Sequence, residues 1–178
     1  VLDMIGGKFE GNTAMAGGAV SIRSNCVATF EGTIFNGNSV EGDVAEADGD
    51  ADGGGAVYVG MGTLTLKDVT MTGNTSYGYG AAVDALNSDV TITGSDLSRN
   101  IGVCTGAFYG ENSTFNIQTT SFTENESTYK QDTSNYNSGK GGGAMNLSGG
   151  TLNLTDVILD GNSSQYYGGT VLTNGTQV

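Results

Sequence analysis

The chain has 178 residues, with 31 Gly, no Pro, no Trp and no His, and 19 acidic against six basic side chains give a formal charge of −13. That charge repels a phosphate backbone, which argues against nucleic acid and anionic membrane surfaces as partners, and the lack of His removes the usual base from any Ser or Cys nucleophile. No apolar run approaches the ~20 residues of a bilayer span, no charged-then-apolar leader opens the chain, and no stretch carries apolar residues at helical spacing, so the expected class is all-β.

Two motifs alternate from the N-terminus onward. The first is an apolar residue, two spacers and an Asn; it starts on Phe9, Phe35, Met71, Leu97, Phe122 and Leu159 and ends on Asn12, Asn38, Asn74, Asn100, Asn125 and Asn162. The second, small residues followed by an apolar one, ends on Val20, Val57, Val83, Phe108, Met145 and Val171. The Asn-to-Asn intervals are 26, 36, 26, 25 and 37 residues, so a coil of 25–26 residues carries an insertion of ten or eleven in two places.

Within each coil, apolar residues stand ten and eight positions before the Asn, as in Ala28 and Phe30 or Leu64 and Leu66, and alternate again after the small-residue turn, as in Val57 and Val59. Three strands that each bury one face cannot enclose a core within one coil, so equivalent positions must stack coil on coil. The expected fold is a three-sided parallel β-helix of about five coils, one segment spanning 1–178. The repeated Asn would form a ladder at a tight corner, capping backbone groups and pairing with its neighbours above and below.

Insertions are expected at 39–53 and 126–141. The first contains Asp48, Asp50 and Asp52 followed by Gly53, the first half of a calcium loop; the twelfth position, where a bidentate acid belongs, falls on Val59. Glu41, Asp43 and Glu46 offer further oxygens, and a solvated acidic loop is the alternative to a calcium site. The second insertion holds Tyr129 and Tyr136, and Tyr77, Tyr79, Tyr166 and Tyr167 fall at the same corner. Rings mixed with adaptable polar groups suit recognition of a receptor or glycan, or they simply cover a sheet end.

Outward positions give three more readings. Thr63, Thr65, Thr91, Thr114 and Thr151, interrupted by Asp89, Asn116 and Asn153, make rows of the kind an ice-binding solenoid presents, although Thr favours strands in any case. Asp84 lies between Tyr58 and Tyr109 in an outward column and could touch a sugar, but no second acid or base accompanies it, so catalysis is not expected. Asn112, Asn146, Asn153 and Asn174 head accessible Asn-x-Ser/Thr triplets, candidate glycosylation acceptors. Cys26 and Cys104 lie about three coils apart, too far for a disulfide between them.

The pairing of Phe-x-x-Asn, ending at Asn12, Asn38 and Asn125, with Gly-Gly-Ala beginning at Gly17, Gly54 and Gly142 resembles the repeats of the chlamydial polymorphic outer-membrane proteins. Those are autotransporter adhesins with β-helical passenger regions. The resemblance covers essentially the whole chain; Leu97 and the 168–170 turn depart from it. It implies surface display and attachment, and with them an extracellular or cell-surface location. The register starts and stops at bare coil edges, so further coils or other chains are expected as neighbours at both ends.

Overall fold

A computed structural model describes residues 1–41, 53–129 and 140–178. The described residues form 24 short strands and contain no helix long and apolar enough to cross a membrane. The strands make four parallel sheets of six, one strand from each sheet per turn, so the five Asn-to-Asn intervals separate six stacked rungs.

One complete turn shows the plan. Thr63–Lys67 belongs to the longest sheet, A; Thr70–Thr72 to sheet B; Thr75–Ser76 to sheet C; and Val83–Leu86 to sheet D. Each pairs in register with its equivalents one turn below and above, as Thr65 does with Thr29 and Thr91. The parallel β-helix is therefore present, with three broad faces and, at one corner, the two-residue sheet C as an additional strip. Insertions do not disturb the register: Ser39 pairs with Thr75 before the first, and Val57 pairs with Val83 after it.

The chain bends where φ turns positive. The residue before every ladder Asn is left-handed, with φ between 54° and 63° at Gly11, Gly37, Gly73, Arg99, Glu124 and Gly161. Five of the six small-residue turns start the same way, on a Gly: Gly54 has φ 74°, and a Cβ there would stand 2.3 Å from the Val57 carbonyl oxygen; the turn ending on Phe108 opens instead on Thr105, without a left-handed φ.

The core follows the predicted columns. Val57, Val83, Phe108 and Met145 are wholly buried in sheet D, Leu64, Val90 and Phe115 in sheet A, and Phe35, Met71, Leu97 and Phe122 in sheet B. Local volumes compensate between rungs. Gly110 leaves room for the Phe115 ring, which a Cβ would meet at 2.3 Å and which stacks on Phe108 at 4.5 Å. In the first and last rungs the inward residues Leu2 and Leu159 are exposed, because a rung packs against one neighbour there rather than two.

Candidate functional site

The Asn ladder is continuous from Asn12 to Asn162. At each step the backbone N–H and side-chain Nδ2 of one Asn donate to the Oδ1 of the next; for Asn100 both reach Asn125 at 3.0 Å. The same Nδ2 also donates to the carbonyl of the apolar residue that opens the motif one turn below, as Asn100 does to Met71 at 3.0 Å. Asn38, Asn74, Asn100 and Asn125 are fully buried, and their polar capacity is used completely. These residues hold the scaffold and are closed to ligands.

Two further ladders, not anticipated from sequence, close two other corners. Between sheets D and A, Gly62 N–H donates to Ser88 Oγ and Ser88 N–H to Ser113 Oγ, while each hydroxyl donates to carbonyls of the strand before it. Between sheets A and B, Val69 N–H donates to Ser95 Oγ and Ser95 N–H to Thr120 Oγ1. The signal is a Ser or Thr twelve and five residues before the ladder Asn, broken in other turns by Gly, Cys or Val.

Both insertions leave the coil between a sheet C strand and a sheet D strand, on the second and fifth rungs. Their predicted limits are too wide. Ser39–Val40 and Glu126–Ser127 are sheet C strands, Gly53 O accepts from Gly17 N–H at 3.1 Å, and Gly141 bridges to Tyr167. The three candidate calcium ligands Asp48, Asp50 and Asp52, and Tyr136, lie outside the described residues. Among the described residues there is no group of three acidic, His or Cys side chains placed to hold a metal.

Of the six tyrosines expected at the corner, the five described do not make one continuous stack. Tyr77 is 52% exposed beside sheet C. Tyr79, two residues on, turns to the other side and stacks on Tyr109 at 4.2 Å. Tyr129, Tyr166 and Tyr167 form a separate group near the last rungs, with Tyr166 4.0 Å from Tyr167 and 5.9 Å from Tyr129.

The outer side of sheet D corrects two expectations. Tyr58, Asp84, Tyr109 and Asn146 point away from the core, yet each is at most 7% exposed. Asp84 Oδ2 accepts from Gly53 N–H at 2.7 Å, and Asn146 Nδ2 donates to Thr105 Oγ1 at 3.2 Å. Asp84 is therefore closed to a sugar and Asn146 to glycosylation in the folded chain; Asn112, Asn153 and Asn174 are exposed. Burial pushes the Cys104 thiol up to about 11, against the pull of nearby Lys140, and the Tyr79 phenol up to about 12. Both cysteines are free, Cys26 exposed and Cys104 buried.

Outside sheet A the threonine rows are in register. They are interrupted by Asp89, Asn116 and Asn153 and flanked by an exposed ion pair, Lys67 Nζ to Glu31 Oε1 at 2.7 Å. Two shallow grooves line the corners. One, about 370 Å³, contains Asp68, Asp96 and Asp156 between sheets A and B, with the Asp96 carboxylate already accepting from Ser98 and Ser121. The other, about 280 Å³, is bounded by Thr75, Ser76, Tyr77, Ile101, Val103 and Thr128 along sheet C. Comparison with known proteins found no matching family model, no matching curated protein and no matching solved structure.

Proposed function

We propose that this chain is an extracellular structural and adhesive β-helix, a rigid scaffold that displays the corner between sheets C and D for attachment to a cell-surface receptor or glycan. The observation that carries this reading is the placement of both insertions at one corner, three rungs or about 14 Å apart, on sheets whose pairing continues unbroken through each. A scaffold needs chain length to vary at the display site without disturbing the stack, and loops on rigid supports commonly carry recognition. The resemblance to autotransporter adhesin repeats points the same way.

The test is deletion of 42–52 or 130–139, which returns each turn to about the length of the uninterrupted ones, followed by an adhesion assay on cultured cells. The expected result is unchanged far-ultraviolet β signal with attachment reduced at least tenfold in one or both variants. Full attachment by both shortened chains would place the contact surface elsewhere.

A further inference from the structure

We infer that the groove along sheet C is a seat for one neutral pyranose ring, with Tyr77 as its stacking platform; this deepens the attachment reading and rests on it. The sequence places Thr75 and Tyr77 on the third rung, Ile101 and Val103 on the fourth and Thr128 on the fifth. Stacking then brings them together. Thr75 pairs with Ile101, and the register continues past the strands as Val103 N–H donates to Ser76 O and Thr128 N–H to Gly102 O, both at 2.9 Å.

The platform is held from behind. Gly78 N–H donates to Ser76 Oγ at 3.1 Å, and that hydroxyl donates to Tyr79 O at 3.0 Å, so the turn carrying Tyr77 is fixed before any ligand arrives. Tyr77 and Ile101 nevertheless remain 52% and 42% exposed. A ring presented from a fixed backbone loses little freedom on binding.

Charge and size select the occupant. All six lining residues are uncharged in a chain of net charge −13, and Glu126 follows Ile101 in the outward column, so an acidic sugar is disfavoured and a neutral one is not. A space of about 280 Å³ lies just below the usual range for drug-sized ligands, about 300–1,000 Å³. Apolar walls from Tyr77, Ile101 and Val103 fit the C–H face of a pyranose, and at the rim the exposed Thr75 hydroxyl and the Thr128 oxygen, whose own proton goes to Gly102 O at 3.5 Å, fit its hydroxyls.

The experiment is a titration of the full ¹⁵N-labelled chain with neutral methyl glycosides of glucose, galactose, mannose and N-acetylglucosamine, with a sialoside as the acidic comparison, followed by amide correlation spectra. At least one neutral glycoside should shift the amides of Tyr77, Ile101 and Val103. Tyr77→Ala should weaken it at least tenfold and Tyr77→Phe less than threefold. Thr75→Lys, at an exposed position, should abolish the shifts and serves if Tyr77→Ala does not fold. The inference is overturned if no neutral glycoside moves those amides, if Tyr77→Ala binds as well as the parent, if the sialoside binds better, or if an apolar peptide occupies the groove more tightly. The chains lacking 42–52 or 130–139 separate the two readings. Sugar shifts in the full chain with unchanged cell attachment by both shortened chains would sink the corner-insertion reading alone, and lost attachment by a shortened chain with no sugar shifts in the full chain would sink the groove alone.

Discussion

Asn100 carries six hydrogen bonds in a space closed to water: it donates three, as described, its Oδ1 accepts from Asn74 N–H at 3.1 Å and Asn74 Nδ2 at 2.9 Å, and its carbonyl accepts from Glu126 N–H at 3.0 Å. Asn100→Ala would take the acceptor from Asn74 N–H and Nδ2 and a donor from the Met71 carbonyl, each costing about 1–3 kcal/mol, while Asn125 Oδ1 keeps the backbone N–H of residue 100. The expected loss in urea denaturation is about 3–5 kcal/mol, against about 1 kcal/mol or less for Asn12→Ala at the exposed end of the ladder. Equal losses at the two positions would contradict a cooperative buried ladder. Thr119 is the reverse case, a β-branched residue at φ 50° in a corner column that is Gly at positions 6, 32 and 94. Thr119→Gly relieves left-handed backbone strain and should raise stability by about 0.5–1 kcal/mol, read as a melting point higher by about 1–4 °C.

The four middle strands of sheet D bury both of their sides. Inward, Val83 and Phe108 pack in the core; outward, Asp84 and Tyr109 are covered as well. Cys104 sits beside this outer layer, so Ellman's reagent at pH 8 should titrate one thiol, Cys26, in the folded chain and two after unfolding. Rapid reaction of both would mean that the cover opens. Burial raises the Cys104 pKa from the ordinary 9 to about 11, so between these values the unfolded chain gives up a proton that the folded chain keeps. The thiol's contribution to stability is thus intact below pH 9 and falls as pH rises towards 11. Cys104→Ala should flatten that part of the stability profile, and an unchanged slope would assign it to other groups.

For the molecule as a whole, stability is a sum over rungs and their interfaces, and the insertions lie outside that sum wherever the ladder passes them without a slip. Asn38 N–H reaches Asn74 Oδ1 at 2.9 Å across a 36-residue interval, much as Asn74 reaches Asn100 at 3.1 Å across 26. Shortening a closed loop by ten residues changes its closure entropy by less than about 1 kcal/mol. The chains lacking 42–52 or 130–139 should therefore melt within about 4 °C of the parent. A larger drop would show that the insertions hold the outer layer of sheet D in place.

The repeat, the inward columns, the Asn ladder and the corner of both insertions were legible in the sequence because each recurs at a constant distance from the Asn and stacking turns that distance into a column. Sheet C escaped notice because it is two residues long and its inward side is small or polar, as at Ser76, Gly102 and Ser127, leaving no hydrophobic alternation. The Ser and Thr ladders were hidden by a residue type that changes from turn to turn while the hydrogen bond needs only an oxygen. Tertiary structure alone decided which outward residues stay outside. Period-2 alternation assigns Asp84 and Asn146 to the outer surface, and the corner position assigns Tyr77 there, but solvent reaches a side chain only if nothing from elsewhere in the chain packs over it. That condition closes Asp84 and Asn146 and leaves Tyr77 open.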